Sequence, residues 1–201
     1  MKELKYYILP SAALIFLCFL LLDVNTFKAL QLSIQNTFIP LWDHQLSSLS
    51  LVLTDLGSLS SALIFFVFIT VALTIEGRWK EAAVIATTGI LTAFLTLVLK
   101  EIMFIPRPEE QLRVVDGSRF PSGHASASMA MALSFIYLTV VYTRSIFLRA
   151  PLIFIALAFA AVVGTTRLFI NVHQPLDIIA GFAIALLSMS FALILSRRLR
   201  E

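Results

Sequence analysis

The sequence predicts an all-α fold, six membrane-crossing helices packed as one bundle, and three observations carry that prediction. Of the 201 residues, 59% are hydrophobic and only 13% are charged, against about 25% charged in an ordinary soluble domain. The mean hydropathy is +0.94. The apolar residues are gathered into six uncharged runs, at 6–22, 56–75, 82–99, 125–143, 150–166 and 178–196. Roughly 20 residues carry a helix across the hydrocarbon core of a bilayer, and each run approaches that length. The basic residues, finally, divide unequally between the connections. A soluble bundle with six such runs would keep too little polar surface to face water.

The elements follow in order. Lys2 and Lys5 precede the first run. No A-x-A-like cleavage site follows it, so 6–22 reads as an uncleaved span and not as a signal peptide. It holds Cys18, the one cysteine, so neither a disulfide nor a cysteine metal site is expected. In the connection 23–55, Phe27, Leu30, Leu32, Ile34, Phe38 and Ile39 alternate with Lys28, Gln31, Gln35 and Asn36, and Trp42 follows Pro40. That mild amphipathicity predicts one or two short interfacial helices between spans one and two. Spans two to six follow, joined by two short connections, one long one from Lys100 to Gly123, and a polar turn before span six. No internal repeat or low-complexity tract divides the chain, and residues 1–201 read as one domain.

Sidedness comes from charge. Both termini and the two–three and four–five connections share one side. They hold nine basic residues, Lys2, Lys5, Arg78, Lys80, Arg144, Arg149, Arg197, Arg198 and Arg200, against the four acids Glu3, Glu76, Glu81 and Glu201. The opposite side holds six basic residues against eight acids. The positive-inside rule puts both termini in the cytoplasm. The net charge of +3 therefore reads as topology and not as a nucleic-acid surface.

The extracytoplasmic connections carry the chemistry. Lys100, Arg107 and Pro108 follow span three. Pro121, Ser122, Gly123 and His124 open span four. Thr166, Arg167, His173 and Asp177 lie between spans five and six. Three cations at a membrane boundary are costly unless an anion meets them. Arginine offers a planar fork that matches phosphate oxygens, and lysine a compact charge. Ser122-Gly123-His124 opens a helix, where free backbone N–H groups and the helix dipole favour an anion. Together they read as a phosphate cradle. Pro175 suits the first turn of a helix, which puts Asp177 near its third position. The spacing of four lets Asp177 reach a ring N–H of His173 and leave the other nitrogen free to attack. His124 is a second imidazole suited to proton transfer. Glu109, Glu110 and Asp116 read as solvated loop acids, and no carboxylate cluster suggests a metal or other cofactor.

At these residues the sequence resembles the type 2 phosphatidic acid phosphatase family, the lipid phosphate phosphatases, in its bacterial membrane branch. The block K-x6-R-P is met by Lys100, Arg107 and Pro108, and P-S-G-H by Pro121 to His124. The block S-R-x5-H-x3-D is met by Arg167, His173 and Asp177, with Thr166 in place of its serine. The resemblance implies that His173 is a nucleophile forming a phosphohistidine, that Asp177 orients it, and that His124 protonates the leaving group and then activates water. It also implies that Lys100, Arg107, Ser122, Gly123 and Arg167 bind phosphoryl oxygens.

The expected function is a metal-independent, multi-pass phosphatase of the inner membrane acting on a lipid phosphate or pyrophosphate, with undecaprenyl pyrophosphate or phosphatidylglycerol phosphate favoured. Its partners would be that lipid and its membrane neighbours; the oligomeric state stays open. Phe104 and Ile105, and Phe169 and Ile170, lie among the cations and suit acyl or prenyl chains. A lipid A phosphatase or a lipid phosphotransferase would use the same groups. A transporter would want charges at helix centres, and these lie at helix ends. A metal site on His124, His173 and Asp177 would set an ion among three cations that repel it. The full catalytic set argues against an inactive scaffold.

Overall fold

The computed structural model describes residues 25–198, and these are wholly helical apart from turns and loops. Helix α1 is Asn25–Phe38, followed by a 3-10 turn, Ile39–Leu41. Then come α2 (His44–Asp55), α3 (Leu59–Ile75), α4 (Trp79–Met103), α5 (Gly123–Tyr142), α6 (Ile146–Phe169) and α7 (Pro175–Arg198). Among the described residues, five stretches are long and apolar enough to cross a membrane: Gln45–Ile75, Trp79–Met103, Gly123–Tyr142, Ile146–Phe169 and Pro175–Arg197. They match predicted spans two to six. The first span, 6–22, with Lys2, Lys5 and Cys18, lies outside the described residues.

The helices outrun the uncharged runs that announced them. Helix α4 extends from Trp79 to Met103 where the run covers 82–99, because Lys80, Glu81, Lys100 and Glu101 sit in its end turns. Long charged side chains can leave a helix end for the headgroup region while their backbone stays helical. The second span departs the other way. Helix α3 starts at Leu59, not Leu56, because Ser58 caps it by accepting the Ser61 N–H at 3.3 Å. The described part of the connection 23–55, residues 25–55, forms two helices and a 3-10 turn, as its amphipathicity suggested. Asp43 caps α2 by accepting the Leu46 N–H at 2.7 Å, the usual use of aspartate at that position.

Helix α5 is the hub. It packs against α3, α4, α6 and α7, and α7 also lies along α4. Within lipid no hydrophobic drive holds helix to helix, so association depends on close approach through small residues. The core follows that rule: Ala125, Ala130, Ala132, Ala156, Ala160, Ala180, Ala183 and Ala185 are buried. Backbone meets backbone at Gly181 of α7, where an added Cβ would stand 2.8 Å from the Ser122 carbonyl oxygen and 2.9 Å from the Ser126 nitrogen. Outward-facing Ile64, Phe68, Ile90, Phe94 and Phe154 are exposed, as side chains facing acyl chains would be. Helices α1 and α2 lie against the end of α6. There the Trp42 indole N–H donates to the Phe169 carbonyl at 2.8 Å, filling one of the carbonyls a helix end leaves unpaired.

Candidate active site

Three segments meet at one end of the bundle: the end of α4 with the loop 104–122, the start of α5, and the α6–α7 turn. The loop reverses at Phe104, where φ is 21°, and closes on itself. The Ile105 N–H donates to Ser118 Oγ at 3.0 Å, and the Arg119 N–H to the Ile105 carbonyl at 2.9 Å. This closure presents the Ser118 carbonyl to two cations, Lys100 Nζ at 2.6 Å and Arg107 Nη2 at 3.2 Å. The α6–α7 turn needs a left-handed residue and has Asn171 there, with φ 55°, a residue that tolerates this conformation. Its side chain donates to the Glu110 carbonyl at 2.6 Å and accepts from Gln35 Nε2 at 3.0 Å. One asparagine thus clasps the loop, helix α1 and the turn.

His173 stands just before α7 and Asp177 in its first turn. Nδ1 of His173 is 3.4 Å from Oδ2 of Asp177, close but without a formed hydrogen bond. The same Oδ2 accepts the Gln174 N–H at 2.8 Å, so Asp177 also caps its own helix. On the other side of the ring, Nε2 lies 3.3 Å from Arg107 Nη1, which also donates to the Val172 carbonyl at 2.8 Å. With Nδ1 carrying the proton toward Asp177, Nε2 keeps its lone pair and points into the cationic cluster. Burial pulls the His173 imidazole down to about 3; Asp177 opposes that, and Arg167 and Arg107 reinforce it. The imidazole is therefore neutral at physiological pH. Burial also lowers Arg107, with Asp177 working against it.

The phosphate-binding candidates converge as the sequence suggests, with differences in detail. Arg167 is buried and donates from Nη1 to Thr54 Oγ1 at 3.0 Å. Its Nε, like that of Arg107, is a buried donor without a partner among the described residues. Ser122 is the N-cap of α5, its hydroxyl accepting the Ala125 N–H, and its own N–H donates to the Asp177 carbonyl at 3.0 Å. A Cβ on Gly123 would meet only Lys100 Cε at 3.8 Å and Thr96 Cγ2 at 3.9 Å, so the missing side chain leaves room beside the lysine. His124, half-buried in the first turn of α5, lies within electrostatic reach of Arg167 and His173. Glu109, Glu110 and Asp116 are exposed.

Some sequence readings change. Thr166 turns its hydroxyl onto the Val163 carbonyl at 2.7 Å, so it serves its own helix. Phe169 and Ile170 were expected beside lipid chains. Ile170 is instead fully buried with Val172 against Phe38, Trp42 and Leu51, because α1 and α2 fold over the end of α6 and need an apolar floor; Phe169 joins that cluster but also lines a groove between α2 and α6. Of the apolar residues among the cations, Phe104 keeps 69% exposure. Sequence reasoning also passed over Arg119, Ser118, Thr54 and Asn171. Among these only Arg119, a charge directly beside the Phe-Pro-Ser-Gly-His block, left a trace in the sequence. Among the described residues no group of three or more His, Cys, Asp or Glu is arranged to hold a metal.

Comparison with known proteins identifies the family and supports the fold. The PAP2 superfamily profile matches residues 79–201. The structure is similar to that of a transmembrane PAP2-type phosphatidylglycerolphosphate phosphatase from Bacillus subtilis, with a TM-score of 0.82 at 21% identity, covering 96% of this chain and 97% of that one. It is also similar to LpxE from Aquifex aeolicus, with a TM-score of 0.65 at 22% identity, covering 86% of this chain and 97% of that one. No curated protein sequence matches the chain.

Proposed function

The chain belongs to the PAP2 superfamily, and from that premise we propose that it hydrolyses a lipid phosphate or pyrophosphate at the outer face of the inner membrane, through a phosphohistidine on His173. The observation that carries this reading is the placement of His173: Nδ1 faces Asp177 at 3.4 Å and Nε2 faces Arg107 at 3.3 Å.

The chemistry follows from those positions. The substrate phosphoryl group takes the unpaired donors of Arg107 and Arg167 and the charge of Lys100, with Ser122 and Gly123 at the helix start. Nε2 of His173 forms a bond to phosphorus as the bond from phosphorus to the lipid oxygen breaks. His124, in its protonated form, gives its proton to that oxygen. His124 then takes a proton from water, whose oxygen attacks phosphorus and breaks the P–N bond. Inorganic phosphate leaves and both histidines return to their starting states. Asp177 steadies the Nδ1–H throughout, and its long contact can shorten as the ring gains charge, since such bonds often tighten only in the reacting complex. Phosphoryl transfer depends mainly on positioning and charge stabilisation. The arginines and lysine supply that charge, so the proposed reaction needs no metal or other cofactor.

A lipid substrate is supported by depth and by an apolar groove. Lys100 and Arg167 sit in the last turns of spanning helices. A groove of about 280 Å³ between α2 and α6, lined by Ser50, Ala161, Val162, Thr165, Thr166 and Phe169, suits an acyl or prenyl chain. Phosphatidylglycerol phosphate and undecaprenyl pyrophosphate are the substrates to try first. The Bacillus neighbour is described as a phosphatase of the former. The test is phosphate release from both lipids and from short, soluble analogues with the same headgroups, with and without excess EDTA. Higher kcat/KM on the long-chain lipids, unchanged by EDTA, is expected, because remote binding energy raises the rate. Equal efficiency on the soluble analogues would remove the lipid from the proposal, and loss with EDTA restored by magnesium would remove metal independence.

A further inference from the structure

Arg119 lies outside the three motif blocks, yet its guanidinium makes the shortest ion pair in the site. Nη1 stands 2.6 Å from Oδ1 of Asp177, with the two side chains 8% and 0% exposed. Asp177 thus divides its oxygens: Oδ1 belongs to Arg119, while Oδ2 accepts from Gln174 and faces His173. A buried charge needs a charged or hydrogen-bonding partner. Without Arg119, this carboxylate would have one backbone N–H and a neutral imidazole. Its charge would then be met most readily by a proton on that imidazole. A protonated ring has no lone pair at Nε2 and cannot attack phosphorus.

We propose that Arg119 is a positioning residue: it holds Asp177 behind His173 and offsets its charge, so that Asp177 can orient the ring while Nε2 stays free. The other groups facing the pair act from their own elements: Lys100 from α4, Arg107 from the loop, His124 from α5 and Arg167 from α6. Of these, Arg107 contacts Nε2 of His173, and none makes an ion pair with Asp177. Losing Arg119 favours the protonated ring both directly, by removing a cation, and through Asp177, by freeing its charge. The two effects have the same sign.

The inference rests on the phosphatase reading, and the experiment separates the two. Phosphate release by the full-length protein in detergent is measured against pH for wild type, Arg119→Gln, Arg119→Lys and, as a blank, His173→Ala. If wild type matches the blank, the phosphatase reading fails. If wild type is active, Arg119→Gln should lower kcat about 10- to 100-fold, the size of loss seen when the outer partners of metal-bound histidines are removed, with KM little changed. The acid limb of its kcat/KM profile should move to higher pH, and Arg119→Lys should restore the limb. Wild-type kcat and limb in Arg119→Gln would overturn the proposal. So would a loss equal at every pH that Arg119→Lys does not repair, since that is how a merely structural residue behaves. Should Arg119→Gln fail to fold, the double variant Arg119→Gln/Asp177→Asn decides. Recovered folding supports charge compensation, and continued misfolding overturns it.

Discussion

His173 and Asp177 are four residues apart, and the turn from the chain into α7 sets Nδ1 of the first 3.4 Å from Oδ2 of the second. The carboxylate reaches that position because it caps its own helix through the Gln174 N–H. The Ser122 N–H, at the head of α5, donates to the backbone carbonyl of Asp177, which ties the residue's main chain to α5. The start of α5 and the start of α7 are thereby one unit.

Stability should depend on pH through His173. Its imidazole is held at about 3 in the folded protein against 6.5 for the free side chain. Between those values the unfolded chain binds a proton that the folded one does not. Unfolding is therefore favoured progressively as pH falls below about 6.5, and the contribution is absent above it. Thermal unfolding in detergent should show this slope in wild type and a shallower one in His173→Gln. Parallel slopes would mean the ring is not held neutral.

Gly181→Ala should damage the site through its backbone alone. Its Cβ would stand 2.8 Å from the Ser122 carbonyl oxygen, which is backbone and cannot turn aside. Helices α5 and α7 must separate, at about 1–3 kcal/mol for overpacking of this kind. The Ser122–Asp177 bond should lengthen with them. A lower unfolding temperature together with reduced kcat is expected. Full activity in the alanine variant would show that the two helix starts are not coupled.

Sidedness can be read by labelling. With Cys18 replaced, Asp116→Cys in the exposed loop should react with an impermeant thiol reagent in intact cells, and Arg78→Cys should not. The reverse pattern would put the site on the cytoplasmic face.

Much of this was legible in the sequence, and what escaped it has physical causes. Uncharged runs mark a span because the bilayer core excludes charge, but Lys100 and Glu101 lie inside α4, where end residues can reach the headgroups. The positions of His173 and Asp177 could be read because their partnership is local, four residues along one turn. Arg119 could not, because its partner is 58 residues away and a loop arginine ordinarily points to water. Thr54 is 113 residues from Arg167, and nothing in its neighbours marks it. Ile170 was misjudged because its burial depends on α1 and α2, whose docking no local pattern encodes.

The central claim is that phosphorus passes through His173, and the most direct measurement is to trap it there. Full-length protein is mixed with a lipid carrying labelled phosphate, quenched in denaturant within the first turnovers, digested, and mapped by mass spectrometry. The account predicts label on the His173 peptide, attached at the imidazole, and no label or turnover in His173→Ala. Label on another residue, or turnover persisting in folded His173→Ala, would contradict it.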